Sequence, residues 1–191
     1  MSTNLEIEFK NLLSKTEYEQ LLHFFKLDLK EIKSQKNVYF DTTDRALQKI
    51  HSALRIRIKD NHYELTLKTK DPKDFGALET NQNITKTDYL NLTQHQILVT
   101  GVVADKLAEL TINLSNLEQL ASLTTYRIEF PYEDGVLFLD KSLYGDTIDY
   151  EVEYESSDYE IGLKTFKAFL TQHQIPARHA APKIRRAQNL S

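Results

Sequence analysis

The feature that most constrains this chain is strict alternation of charged and apolar residues in strand-length segments. "LEIEFK" sets Glu6, Glu8 and Lys10 on one parity and Leu5, Ile7 and Phe9 on the other. "LRIRIK" separates Arg55, Arg57 and Lys59 from Leu54, Ile56 and Ile58 in the same way. "YELTLKTK" separates Thr66, Lys68 and Lys70 from Leu65 and Leu67. "YEVEYE" sets Glu151, Glu153 and Glu155 against Tyr150, Val152 and Tyr154. Successive strand side chains point to opposite faces, so each segment has one apolar and one charged face.

A solvated face usually mixes signs, because neighbouring like charges cost free energy. Here the signs are sorted by strand. One strand carries "RIRIK", and two carry twin carboxylates, "EIE" and "EVE". Clustered cations suit a polyanion. Paired carboxylates suit a hard divalent cation with oxygen ligands, such as Mg²⁺ or Mn²⁺. A phosphate chain bridged to a metal would meet both needs.

The alternation predicts strands at 4–10, 37–42, 53–59, 63–70, 77–85, 123–132, 136–142 and 147–155. The short polar joints "DNH" and "EDG" predict antiparallel hairpins. Ser14 and Glu17 form a capping box that opens a helix over "SKTEYEQLLHFFK". Further helices are expected over "TKTDYLNLTQHQ", "VADKLAEL", "YEIGLKTFKAFLTQH" and "KIRRAQNL", and the stretch 92–120 reads as predominantly helical. If helices cover the apolar faces, the charged set lines a wet barrel. If the charged set faces solvent, the fold is an open α+β sandwich. The pattern leaves both open.

The chain has 191 residues, and no linker or internal repeat divides it, so one domain over 1–191 is expected. The net charge of −4 argues against a broad nucleic-acid surface, and no specific DNA binding is expected. The absence of cysteine excludes disulfides and thiolate chemistry. No signal peptide or membrane-length apolar run is visible, which predicts a cytoplasmic protein without a membrane partner. The six histidines have no zinc-like spacing and read as surface or core residues. Oligomeric state is not written in the pattern.

The ordered set "EIEFK", "RIR", "LTLK", "TYRIE", "EVE" and "PKIRR" resembles the CYTH family, the triphosphate tunnel metalloenzymes. The resemblance spans almost the whole chain. It implies an α+β fold, an eight-stranded antiparallel β-barrel with a charged tunnel and helices packed outside. It also implies divalent-metal-dependent hydrolysis of a small triphosphate: inorganic triphosphate, thiamine triphosphate or a nucleoside triphosphate. The alternatives are a class IV-type adenylyl cyclase and a non-catalytic nucleotide or polyphosphate binder. By residue, the resemblance assigns phosphate binding to Lys10, Arg55, Arg57, Lys68, Arg127 and Lys183, with Lys70 and Arg186 as further positions. It assigns Mg²⁺ or Mn²⁺ and catalysis to Glu6, Glu8, Glu151 and Glu153, with Asp140 in support of the metal. Lys59, Lys70 and Glu155 read from their type as rim charges in solvent. Tyr39 and Asp41 are expected in the tunnel wall. Asn81 stands where some members carry an acid beyond Glu79. An acidic exterior should favour small substrates over long RNA.

Overall fold

The computed structural model describes residues 3–73 and 75–188. Eight strands close into one antiparallel barrel: β1 (Thr3–Leu13), β2 (Lys33–Thr42), β3 (Ala53–Lys59), β4 (His62–Lys70), β5 (Ala77–Ile84), β6 (Leu117–Tyr132), β7 (Gly135–Tyr144) and β8 (Thr147–Ser156). Their order around the barrel is β1-β5-β4-β3-β2-β6-β7-β8, and β8 closes on β1 with Lys10 opposite Glu153. Among the described residues six α-helices accompany them: α1 (Lys15–Phe24), α2 (Ala46–Lys49), α3 (Lys86–His95), α4 (Val102–Glu109), α5 (Tyr159–Gln172) and α6 (Lys183–Gln188). Among the described residues no helix is long and apolar enough to cross a membrane.

The alternation builds the barrel because each strand's apolar parity is covered from outside. On one side α1 and α5 bring Tyr18, Leu21, Phe166 and Phe169 onto Leu137, Leu139, Val152 and Tyr154. On the other, α2, α3 and α4 bring Leu47, Leu92, Val103 and Leu107 onto Val38, Leu54, Ile56, Leu65 and Leu67. Burying each leucine of this second layer is worth about 2 kcal/mol. With both apolar layers outside, the charged parity has only the lumen left. A small third cluster lies inside the barrel: Tyr39, Leu123 and Tyr144 pack on Ala187 and Ile184 of α6.

The hairpin joints form as expected. Asp60 and Asn61 both have positive φ, 50° and 61°, the backbone that a two-residue turn between right-twisted strands requires. The Ser14–Glu17 capping box opens α1. Several boundaries differ from the sequence reading: β1 runs on to Leu13 and β7 to Tyr144. β2 starts at Lys33 rather than Asn37, because polar "KSQK" pairs with the far half of β6. β6 starts at Leu117, so the end of the stretch read as helical, Leu117–Leu120, is strand. Its leucines recur at helical spacing, but pairing with Phe40–Thr42 of β2 through a register shift overrides that preference. β5 ends at Ile84 because the Thr85 side chain caps α3. For the last helix, Asn189 and Leu190 lie outside the described residues.

Candidate active site

The lumen holds a cavity of about 620 Å³. Its lining includes Glu6, Glu8 and Lys10 from β1, Arg55 and Arg57 from β3, and Lys68 and Lys70 from β4. Arg127 of β6, Glu153 and Glu155 of β8, and Lys183 of α6 add to the charged wall. β3 lies across the barrel from the β1/β8 seam, so the paired arginines face the paired carboxylates.

The arginine side has an excess of positive charge. Arg57 Nε donates to the Asn37 amide oxygen at 3.2 Å. Arg55 Nε is buried without a hydrogen-bond partner. Among the described residues neither guanidinium has a carboxylate within ion-pair distance. Burial, with repulsion from Arg55 and Arg127, pulls Arg57 down to about 10. Two arginines held this way on one wall are an anion site, since each planar fork can take two phosphate oxygens.

The β1 side is the reverse. Carboxylate oxygens of Glu6, Glu8 and Glu155 lie within 4.8 Å of one another. Lys68 pairs with Glu6, reaches Glu8 at 3.6 Å and Glu79 at 3.7 Å, and Lys10 pairs with Glu8. Two lysines thus stand among four acids. Burial and the neighbouring Glu8 raise Glu6. Burial, Glu6 and Glu8 raise Glu155 to about 7. Burial and Glu153 oppose the charge on Glu8, yet Lys10 and Lys68 hold it below the usual range. Crowded oxygen donors with too few cations suit a hard divalent ion such as Mg²⁺ or Mn²⁺.

A second acidic group is compensated. Asp140, Glu151 and Glu153 also have carboxylate oxygens within 4.8 Å of one another, and all three residues are buried. Arg127 binds Asp140 through two donors at 2.7 and 2.6 Å, and also pairs with Glu153. The Arg127 guanidinium sits 4.4 Å over the Phe138 ring. Lys183 Nζ lies 2.9 Å from Asp140, 2.7 Å from Glu151 and 2.5 Å from Glu153. Arg186 pairs with Glu151 and, at 2.8 Å, with Asp149. Burial drives Glu151 up to about 8. Burial also opposes the charge on Glu153, but Lys183 and Arg127 more than offset this and hold it well below the usual carboxylate range.

The structure therefore sorts the expected site residues. Glu6, Glu8, Lys10, Arg55, Arg57, Lys68, Lys70, Arg127, Glu153 and Lys183 share the cavity. Asp140 and Glu151 lie behind it, and Arg186 points at Asp149 and Glu151. Glu155, read as a rim charge, is half-buried beside Glu6 and Glu8 and completes their donor set. The available signal was its parity, two residues beyond Glu153. Gln35, Asn37 and Arg185 also line the cavity and were not singled out from the sequence. Glu79 faces Lys68, and Asn81 is in the wall with a buried amide oxygen lacking a partner. Tyr39 and Asp41 both line the cavity, and the Asp41 carboxylate accepts from the backbone N–H groups of Thr42, Leu47 and Gln48, which fixes α2.

Comparison with known proteins bears on the family and the fold. The family model of the CYTH domain matches residues 4–187. A Bacillus subtilis (strain 168) protein named as a candidate triphosphatase, YjbK, is 40% identical over 187 residues, covering 97% of this chain and 95% of that protein. The structure of a Bacillus halodurans protein described as a candidate adenylate cyclase superposes with a TM-score of 0.93 at 37% identity, over 97% of this chain and 98% of that one. A Hippeastrum protein, described as a candidate adenylyl cyclase with a dominant triphosphatase activity, shares the fold. Its TM-score is 0.79 at 24% identity, over 97% of this chain and 96% of that one.

Proposed function

The chain belongs to the CYTH domain family, and on that premise we propose that it is a divalent-metal-dependent triphosphatase acting on a small triphosphate. The observation that carries this reading is the two-signed cavity: uncompensated Arg55 and Arg57 across the lumen from crowded Glu6, Glu8 and Glu155.

Arg55 and Arg57 bind phosphate oxygens as planar forks, and Lys10 and Lys68 serve as point charges between phosphates and carboxylates. Asp140, Glu151 and Glu153 hold Arg127 and Lys183 in fixed orientation, so these cations meet the phosphate chain without rearranging. Stabilising charge at the transferring phosphoryl group is the main task in such reactions. Glu6, Glu8 and Glu155 would hold Mg²⁺ or Mn²⁺, which supplies charge neutralisation and water activation when bound. Hydrolysis requires only water beyond this set. Cyclisation would need a base contact that aims a ribose oxygen, and Tyr39 is the one Phe, Tyr or Trp side chain in the described lining.

The test is product analysis with tripolyphosphate, thiamine triphosphate and ATP, each with Mg²⁺, Mn²⁺ or EDTA. Orthophosphate release that needs the metal and disappears in Glu6→Gln/Glu8→Gln is the expected result. Pyrophosphate with a cyclic nucleotide would turn the assignment to a cyclase. Tight binding without turnover of any substrate would leave a binding module.

A further inference from the structure

We infer that Arg178, with Glu17 and Asn11, forms a clamp that positions Lys183 in the tunnel. The kinetic part of this inference rests on the hydrolytic reading above; the structural part does not.

Lys183 makes contacts on both β7 and β8, and its place depends on the segment 173–182 that leads from α5 into α6. That segment has no helix or strand of its own. Midway along it the chain is tied to the barrel. Asn11 Nδ2 donates to the Pro176 carbonyl at 3.1 Å, and its Oδ1 accepts from the Arg178 backbone N–H at 2.6 Å. The Arg178 guanidinium donates to both carboxylate oxygens of Glu17, at 2.7 and 2.9 Å, and to the Leu12 carbonyl at 3.2 Å. Beyond the clamp, the chain is held again by Arg186 Nε on the Ala181 carbonyl at 2.9 Å.

Two features mark the clamp as more than incidental. The outward parity of β1 reads Leu5, Ile7, Phe9, Asn11, Leu13, so Asn11 breaks an apolar face while only 2% exposed. A buried amide persists only where it is hydrogen-bonded, and apart from the adjacent Leu12 carbonyl its partners are the backbone of 176 and 178. Glu17 carries two functions. The same oxygen that accepts from the Ser14 N–H at 2.7 Å also accepts from Arg178, so the α1 cap and the α6 tether share one carboxylate. The clamp is anchored on β1 next to Lys10, which lines the cavity. It fixes the tether of Lys183 to the strand that carries Glu6 and Glu8. Arg178 is not among the described residues that line the cavity, so it acts as a positioning residue for Lys183.

The experiment compares Arg178→Ala, Arg178→Lys, Asn11→Leu, Lys183→Ala and the double variant Arg178→Ala/Lys183→Ala. Arg45→Ala, which breaks a partly exposed ion pair with Glu118 and shares neither this partner nor the Thr42 carbonyl with the clamp residues, is the control. Amide hydrogen exchange of residues 183–188 is expected to quicken in Arg178→Ala and Asn11→Leu and to stay unchanged in the control. With tripolyphosphate, Arg178→Ala should raise KM about tenfold, with the smaller change in kcat, a size typical of slight misplacement of a binding group. Arg178→Lys should recover part of this. On the Lys183→Ala background, Arg178→Ala should add nothing, the non-additivity expected of residues acting in series. Unchanged exchange in both clamp variants would overturn the inference. So would a full additional loss on the Lys183→Ala background, which marks a general structural effect. If the wild-type protein does not turn over tripolyphosphate, the hydrolytic reading fails by itself. The same cycle is then read as dissociation constants for that anion, with the exchange data deciding the clamp.

Discussion

Two acidic groups share this tunnel and contrast in what surrounds them. Asp140, Glu151 and Glu153 are buried and meet Arg127, Lys183 and Arg186. Glu6, Glu8 and Glu155 are closer to the lumen and share two lysines with Glu79. Both groups have the same chemistry and the same spacing along a strand. One has a cation of the chain against each carboxylate and, on the proposed reading, works as a scaffold that aims cations. The other has two lysines among four acids and, on the same reading, takes a further cation from solution. A carboxylate cluster is therefore read by its charge balance, since the residue types alone do not distinguish a brace from a ligand set.

The sharpest way to break the contrast is to neutralise one acid in each group. Asp140→Asn removes one of the two carboxylates that Arg127 and Lys183 share and leaves Glu153, so unfolding free energy should fall by about 3 kcal/mol in denaturant titrations. Glu8→Gln should leave the fold intact and reduce kcat/KM by about 10²–10³, the scale of losing one group that stabilises transition-state charge. If Asp140→Asn is as stable as wild type while Glu8→Gln unfolds, the two roles are reversed. Next in size, Arg57→Ala should weaken tripolyphosphate binding about tenfold, as expected for a lost charge-assisted contact. Thermal stability should hold or rise, because the removed guanidinium had no anion to offset it.

The smallest effect concerns pH. Glu155 has a folded pKa of about 7, raised above its ordinary value. Between about 4.5 and 7 the unfolded chain releases this proton while the folded chain keeps it, so the metal-free protein loses stability as pH rises through that window. Above pH 7 the loss is complete. Glu155→Gln should flatten this dependence and raise the melting temperature of the metal-free protein at pH 8 by roughly 2–4 °C, after allowance for solvent screening. Mg²⁺ should raise the wild-type melting temperature and have a weaker effect on the variant. An identical pH profile for the two proteins would place Glu155 outside the crowded group.

The strand faces were legible because alternation is a local property. Leu54, Ile56, Arg55 and Arg57 divide between outside and lumen as their parity requires. Closure was not legible in the alternation, because an open sheet and a barrel share it and β1 pairing with β8 decides between them; the barrel was expected from the ordered motifs and the family they resemble. Leu117–Leu120 was misread because its strand character comes from β2, distant in sequence. Glu155 was assigned to solvent because its type is usually exposed, although its parity put it with Glu151 and Glu153. The cations that occupy Asp140, Glu151 and Glu153 come partly from α6. No local pattern in "PKIRR" says which of its basic residues turn back onto β8.

Closure through β1 and β8 also sets an order on biosynthesis. A ribosome makes β1 first and β8 last among the strands, so the seam joining Lys10 to Glu153 forms only when nearly the whole chain has emerged. Contacts between such distant segments form slowly, because the loop must close before any pairing rewards it. Until then the nascent sheet has two open edges. Glu6 and Glu8 wait on one edge for Glu155 on the other, so the crowded carboxylates first meet when the barrel shuts. A divalent ion bound there would bridge the last joint to form and fasten the finished barrel.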